Sequence, residues 1–383
     1  MAQFIVPKTM HHGLGSLEKL TELKGSKAVI VIGGGSVKRN GSLAQVQKYL
    51  SDASIESVVF SDVEADPSIE TVIEGAKFMQ TEKPDVIIGL GGCSAIDAAK
   101  AMWIYYEYPD SKLEELVELF AVKPLRNKAI FVAIPSTSGT GTEITGLSVI
   151  TDREKGTKYP IVSYELTPDV AIIDATLSAS MPKHITANTG LDALSHGVEA
   201  YVSNISERYS DSLAKGAIDL VFKNLPTVFE NPDNLEVRQA MHDASCMAGM
   251  AFNNVWLGII HSISHQIGGT FAIPHGCANA ILMPNVIRFN SKSTDKYTDL
   301  AALVGKSTAE EFAQEVSNLR ASVGVVASFK EYGISAKDWD AKLDLMAANA
   351  MKDPCTLFNP RKLELHEMKA IMQACYDGVA IEF

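Results

Sequence analysis

Cysteine is scarce: five in 383 residues, at positions 93, 246, 277, 355 and 375, with no two in CxxC spacing. An odd, scattered set in a chain long enough to fold around its own core argues against a disulfide framework and for a reducing compartment. No apolar run approaches the ~18–20 residues that span a bilayer. The opening MAQFIVPKTMHHG lacks the basic-then-apolar order of a secretory signal. The reading is a soluble cytoplasmic protein with no membrane partner. Basic residues are outnumbered, 34 Lys and Arg against 46 Asp and Glu, and the formal charge of −12 weighs against a nucleic-acid partner. Gly (27) and Pro (15) stand near average usage, so disorder does not describe the chain.

What is present changes texture along the chain. Up to about residue 180, short β-rich runs at 28–32, 57–60, 86–89, 130–134, 147–150 and 170–173 are joined, among the first four, by helical patterns such as 43–50, 69–80 and 95–105. Strand, crossover helix, strand is the signature of a parallel sheet covered on both faces. After Pro182 the strand texture stops. Amphipathic stretches follow near 184–203, 206–229, 235–252, 256–268, 275–290, 308–322, 336–350 and 363–377, broken at residues such as Pro232, Pro274, Gly333 and Pro354. The expectation is an α/β domain over 1–181 and an all-helical domain over 182–383, packed tightly across a cleft.

Several strands run into glycine. Gly89-Leu-Gly-Gly-Cys-Ser-Ala-Ile-Asp97 follows a β-rich run and opens a helix. Small residues let a backbone approach a pyrophosphate, whose charge suits a helix N-terminus. The third glycine of a full GxGxxG is replaced by Ser94, and a plain strand-to-helix turn capped by Ser94 accounts for the same residues. A second loop, Pro135-Ser-Thr-Ser-Gly-Thr-Gly-Thr-Glu143, offers hydroxyls and bare amides that suit phosphate and ribose. Two such loops after two parallel strands favour a nucleotide at the carboxyl ends of the strands. The first glycine loop, Gly33-Gly34-Gly35-Ser36-Val-Lys38-Arg39, carries no acid. An acid there binds a ribose 2′-hydroxyl, whereas a cation meets a 2′-phosphate, so the loop favours NADP(H), with NAD(H) as the alternative. Asp62, after the second strand, argues the other way.

Of nine histidines, His196, His261, His265 and His275 fall within the helical half. Asp192 and His196 are i,i+4 and share a helix face, and His261 and His265 repeat that spacing. His275 opens a further helix. A carboxylate with imidazoles suits Fe²⁺ or Zn²⁺, and burying that many polar groups in apolar helices is costly unless something coordinates them. Spacing alone admits either His261 or His265 as a ligand. His11, His12, His184, His242 and His366 lie in more polar surroundings and read as surface or structural; Cys277 reads as a buried thiol.

On these residues the chain resembles the iron-containing (group III) alcohol dehydrogenases, close to the NADPH-dependent butanol dehydrogenases of clostridial type. The resemblance covers almost the whole length: Gly33 to Ser36, Gly91-Gly92-Cys93-Ser94 with Asp97 and Lys100, the 135–143 loop, the 190–201 stretch, and His261, His265 and His275-Gly-Cys-Ala-Asn-Ala. Cys93 departs from the family's usual third glycine. The resemblance implies an N-terminal dinucleotide-binding α/β domain plus an all-α metal-binding domain, the fold shared with dehydroquinate synthase, and a homo-oligomer, a dimer. It implies metal ligands at Asp192, His196, His261 and His275, with iron in place and zinc as the alternative. His265 then becomes a non-ligand that relays a proton. Cofactor contacts carry over to Gly91, Gly92, Ser94, Asp97, Thr137, Ser138, Thr140, Thr142, Lys158 and Leu177. The implied activity is interconversion of a short primary alcohol and its aldehyde. A glycerol-dehydrogenase-like polyol oxidoreductase and a dehydroquinate-synthase-like lyase share the fold. The lyase takes a phosphorylated acid and needs cations beside the metal, and the stretches 188–203 and 255–285 contain no Lys or Arg.

Overall fold

The computed structural model describes residues 3–155 and 157–382. Two compact units emerge. The first comprises the chain up to Thr137 together with Gly141–Met181, and the second comprises Ser138–Thr140 and the chain from Pro182 onward.

In the first unit the chain runs through β1 (Thr9–His12), β2 (Lys27–Gly33), α1 (Ser36–Arg39), α2 (Ser42–Asp52), β3 (Glu56–Val63), α3 (Ile69–Glu82), β4 (Val86–Gly91), α4 (Cys93–Glu107) and α5 (Leu113–Leu116). It continues through β5 (Ile130–Pro135), β6 (Leu147–Asp152), β7 (Thr157–Val162) and β8 (Val170–Ile173). Six strands form one parallel sheet in the order β1-β8-β5-β4-β2-β3. The inner strands β2, β4 and β5 are apolar almost without alternation because helices cover both faces. Val29, Val31, Ile87 and Phe131 pack with α3 and α4 on one face. Ile30, Ile32, Ile88 and Leu90 pack with Val46 and Leu50 of α2 on the other.

The strand read at 147–150 is not part of this sheet. It belongs to β6, which pairs antiparallel with β7 in a separate ribbon. The signal for β7 is weak because Pro160 removes a ladder donor and Thr157 and Lys158 are exposed. β1 is likewise a four-residue polar edge strand without an apolar run to announce it. From β2 the chain steps outward to β3 and returns to the other side of β2 as β4. That reversal is the topological switch point where open α/β sheets bind ligands. Gly33 ends β2 and Gly91 ends β4, so both glycine loops sit at the switch point.

The second unit is helical: α6 (Lys183–Val202), α7 (Arg208–Glu230), α8 (Leu235–Val255), α9 (Ile259–Phe271), α10 (His275–Asn290), α11 (Lys296–Leu303), α12 (Ala309–Ser322), α13 (Phe329–Tyr332), α14 (Ala336–Ala350) and α15 (Leu365–Asp377). α6 is enclosed by α7, α8 and α10, and every residue from Gly190 to Val202 is buried. A helix buried all round carries polar side chains only where they have partners, and α6 carries Asp192, Ser195, His196 and Glu199. The helical stretch read from 256 begins later, at Ile259: Trp256 has φ +62°, a left-handed conformation costly for a bulky side chain, and it terminates α8. Among the described residues no helix is long and apolar enough to cross a membrane.

Candidate active site

The helical spacing brings Asp192, His261 and His275 together from α6, α9 and α10, with one potential ligand atom of each within 4.8 Å of the others. The Nε2 atoms of His275, His196 and His261 lie 3.6, 3.9 and 4.0 Å from Asp192 Oδ1. His196 stacks on Phe252 (centroids 4.5 Å apart) and on His261 (4.6 Å). Asp192, His196 and His261 are buried; the His275 side chain keeps 38% of its surface.

Each of these imidazoles is held at its other nitrogen. His196 Nδ1 lies 3.2 Å from Gly139 O, and His261 Nδ1 lies 2.5 Å from Glu199 Oε2. Ser264 Oγ donates its only proton to His261 O, so it accepts from His275 Nδ1 at 3.3 Å. With Nδ1 carrying the proton, Nε2 presents its lone pair, and all three Nε2 atoms face the Asp192 carboxylate. This is the orientation that outer hydrogen bonds impose on metal-binding histidines. Burial pushes His196 below its ordinary range. Burial, with the neighbouring imidazoles, pushes His261 well below it, so the neutral form that binds metals prevails. Burial also pushes Glu199 up to about 8, against the amides of Gly258, Ile260 and His261 that pull it down.

The donor set fits a divalent cation. Asn279 Nδ2 lies 2.8 Å from Asp192 Oδ1, 3.1 Å from Ser195 Oγ, 3.2 Å from His275 Nε2 and 3.3 Å from His261 Nε2. Four acceptors thus crowd one amide nitrogen that has two protons. The other end of that amide, Asn279 Oδ1, is buried without a hydrogen-bond partner among the described residues. One carboxylate and several imidazoles around a common point supply the charge and donors that iron or zinc takes.

His265 differs from His261. Its side chain is 44% exposed, its ring stacks on His275 at 5.5 Å, and Nδ1 bonds Asp353 Oδ2 at 2.9 Å. Burial opposes ionisation of Asp353, but the bond and charge of His265 and the Cys355 amide outweigh it and hold the carboxyl below its usual range. His242, one of the histidines read as surface or structural, is 1% exposed, with Nδ1 2.8 Å from Ser138 Oγ. His184 and His366 are exposed. Burial pushes the Cys277 thiol up to about 11, away from the thiolate a metal takes.

In the first unit Gly35 has φ +91° and Gly91 φ +148°, conformations that keep side chains out of both turns. α4 starts at Cys93 with Gly92 as its N-cap, so Ser94 lies inside the first turn and does not cap the helix. Ser36 and Lys38 are exposed on α1, and Asp62 is exposed on the adjoining end of β3. Thr137 lies beside Gly92. Asp97 and Thr142 are buried, with Thr142 Oγ1 donating to Asp97 Oδ1 at 2.6 Å. Lys158, on β7, pairs with Asp66 at 2.6 Å. Leu177 is buried in the sheet core. Ser138 and Thr140 fold with the second unit. Glu199, Asn279, Ser264, Asp353 and the Gly139 carbonyl escaped the sequence reading. Two of them carried a signal: Glu199 is i+7 from Asp192, and Asn279 is i+4 from His275, each on the face of a ligand candidate.

A parallel α/β unit with glycine turns at its switch point, and a helical unit with a carboxylate–imidazole cluster, define a metal-containing dinucleotide oxidoreductase. The iron-containing alcohol dehydrogenase family pattern matches residues 7–175, and its C-terminal counterpart matches 186–376. The chain is 46% identical over 390 residues to the NADPH-dependent butanol dehydrogenase of Clostridium saccharobutylicum, covering 100% of both. It is 36% identical to the 1-propanol dehydrogenase of Citrobacter freundii, over 97% of this chain and 99% of that one. An alcohol dehydrogenase from Oenococcus oeni superposes with a TM-score of 0.93 at 33% identity, over 98% of this chain and 100% of that one. The chain belongs to the iron-containing alcohol dehydrogenase family and is an oxidoreductase that interconverts alcohols and aldehydes.

Proposed function

We propose that the chain reduces short unbranched aldehydes, and oxidises the matching primary alcohols, with NADP(H) and a divalent metal held by Asp192, His196, His261 and His275. The observation that carries this reading is the convergence of three Nε2 atoms on Asp192 Oδ1, each imidazole anchored at Nδ1. Iron suits the family, and zinc is the alternative. When bound, the cation polarises the alcohol or aldehyde oxygen as a Lewis acid, and the nicotinamide supplies or takes the hydride. His265 moves the proton. Asp353 accepts from its Nδ1–H, which leaves Nε2 to take a proton from the alcohol or return one to the product, and partial exposure lets it exchange with solvent. Gly33, Gly34, Gly35 and Ser36, with Gly91, Gly92, Ser94 and Thr137, admit the cofactor's phosphates and ribose. Lys158 and Leu177 complete the contacts on the first unit.

The cofactor choice rests on Gly33 and Lys38. A cation meeting a 2′-phosphate contributes roughly 1.5–3 kcal/mol, or about one to two decades at ~1.4 kcal/mol per decade. Steady-state kinetics with butanal are therefore expected to give NADPH a 10- to 100-fold advantage in kcat/KM, by the same reckoning roughly. Gly33→Asp is expected to erode or reverse it. A Cβ at Gly33 meets Val63 O at 3.2 Å and needs a shift of a few tenths of an ångström, so circular dichroism of the variant accompanies the kinetics. Equal or better efficiency with NADH in the unmodified enzyme would place Lys38 in solvent and give the ribose to Asp62.

A further inference from the structure

α4 carries two buried charges that the chemistry above does not use. Lys100 is fully buried, and its ammonium donates to the carbonyls of Thr142 at 2.6 Å, Thr145 at 2.6 Å and Leu147 at 3.0 Å. Its three protons are thereby assigned to one short segment that follows β5 and runs into β6. Asp97 lies one turn earlier on the same face of α4. Its Oδ1 accepts from Thr142 Oγ1 at 2.6 Å and its Oδ2 from the Val149 amide at 2.9 Å. Ser148 Oγ adds a bond to Asp97 O at 2.8 Å. Apart from a hydrogen bond that Asp97 also takes from the Cys93 side chain, both side chains bond residues 142–149.

A buried pair of this kind is weak evidence of stability, because well-packed apolar residues often replace one at no cost. Burial pushes Lys100 down to about 8 although Asp97 pulls it up. What the pair supplies is geometry. α4 starts at the Gly91-Gly92 turn, where Thr137 also lies. One rigid helix thus fixes the phosphate turn at its N-terminus and, a turn later, the chain that returns from the hydroxyl-rich loop.

We propose that Asp97 and Lys100 are positioning residues for the dinucleotide, acting on it only through the segment from Thr142 to Val149 that they latch to α4. The inference rests on the reading that the dinucleotide binds at this edge of the sheet, and it moves Asp97 and Thr142 from contact residues to members of the latch.

The test is fluorescence titration of NADPH into the metal-loaded enzyme, using the emission of the reduced cofactor itself, with elemental analysis and kcat at saturating NADPH alongside. Lys100→Met removes all three donors while keeping the chain length. Misplacement of a binding element by ~1 Å can cost ~100-fold, so Kd is expected to rise about 10- to 100-fold on that basis, while metal content and saturated kcat hold within about threefold. Asp97→Asn preserves shape, keeps the variant testable should Lys100→Met not fold, and is expected to raise Kd several-fold with the same split. A folded Lys100→Met that binds NADPH as the parent does overturns the proposal. So does an unchanged Kd in Asp97→Asn, or a loss confined to kcat. Failure of the parent enzyme itself to bind NADPH would remove the dinucleotide reading, and the latch with it.

Discussion

His261→Ala is expected to leave the protein without metal and to cut kcat/KM for aldehyde reduction by about a thousandfold or more. The scale is that of the Lewis-acid contribution, several kcal/mol at ~1.36 kcal/mol per decade. The imidazole is doubly committed: Nε2 faces Asp192 Oδ1 at 4.0 Å, and Nδ1 meets Glu199 at 2.5 Å. Removing it opens the ligand set and strips the buried Glu199 carboxyl of its imidazole partner, so a lower Tm is expected as well. The neighbouring His265→Ala provides the contrast. Its Nδ1 goes to Asp353 and its side chain reaches solvent, so the variant is expected to keep its metal and lose roughly 10²–10⁴ in kcat as a general acid–base. Elemental analysis of the two purified variants separates the roles. Full metal in folded His261→Ala, or equal loss in His265→Ala, would reverse the assignment.

The second large effect is expected at a residue with no side chain. A Cβ at Gly276 would stand 1.9 Å from Asn188 O and 3.1 Å from Asp192 Cβ. The obstacle is α6 backbone, which has no rotamer to yield, so Gly276→Ala must push α10 away from α6. His275 is the preceding residue, and its Nε2 is 3.6 Å from Asp192 Oδ1. Ligand distances in a metal site hold to about 0.2 Å of their usual values, so weakened metal binding is expected together with lost stability. Overpacking costs ~1–3 kcal/mol or more, about 2–12 °C in Tm at ~2–4 °C per kcal/mol. Among the described residues nothing lies within 4 Å of a Cβ at Gly269 in α9, and Gly269→Ala is expected to be neutral or slightly stabilising. Differential scanning calorimetry of both variants, with chelator competition for metal affinity, checks the contrast. Wild-type metal affinity in Gly276→Ala would show that the close approach of α6 and α10 does not set the site.

The ligand candidates were legible in the sequence because they obey helix periodicity inside otherwise apolar helices. Asp192 and His196 recur at i,i+4, and so do His261 and His265. Periodicity could not rank His261 against His265, since both occupy one face of α9. The difference lies in partners remote along the chain: Glu199 for one, Asp353 for the other. The strands β2, β4 and β5 were legible as apolar runs, and their glycine turns with them. β7 was not, because Pro160 and exposed polar residues erase its pattern, so the antiparallel partner of the strand at 147–150 went unread. The fate of Ser138–Thr140, three loop residues that fold with the second unit, depends on packing around α6 and has no local signature. Gly139 O reaches His196, and a Cβ on Gly139 would meet Thr189 at 2.6 Å. His242 read as surface or structural from its polar neighbours, and it is buried, with Nδ1 against Ser138 Oγ.

The central claim is that the Asp192–His196–His261–His275 cluster holds the metal on which NADPH-dependent aldehyde reduction depends. Its most direct test follows NADPH absorbance with butanal before chelation, after exhaustive dialysis against a strong chelator, and after anaerobic return of Fe²⁺ or Zn²⁺. The account predicts that turnover falls by about two decades or more on metal removal, and that one of the two ions restores it in the parent protein but not in His261→Ala. Undiminished turnover in protein shown by elemental analysis to be free of metal would contradict it.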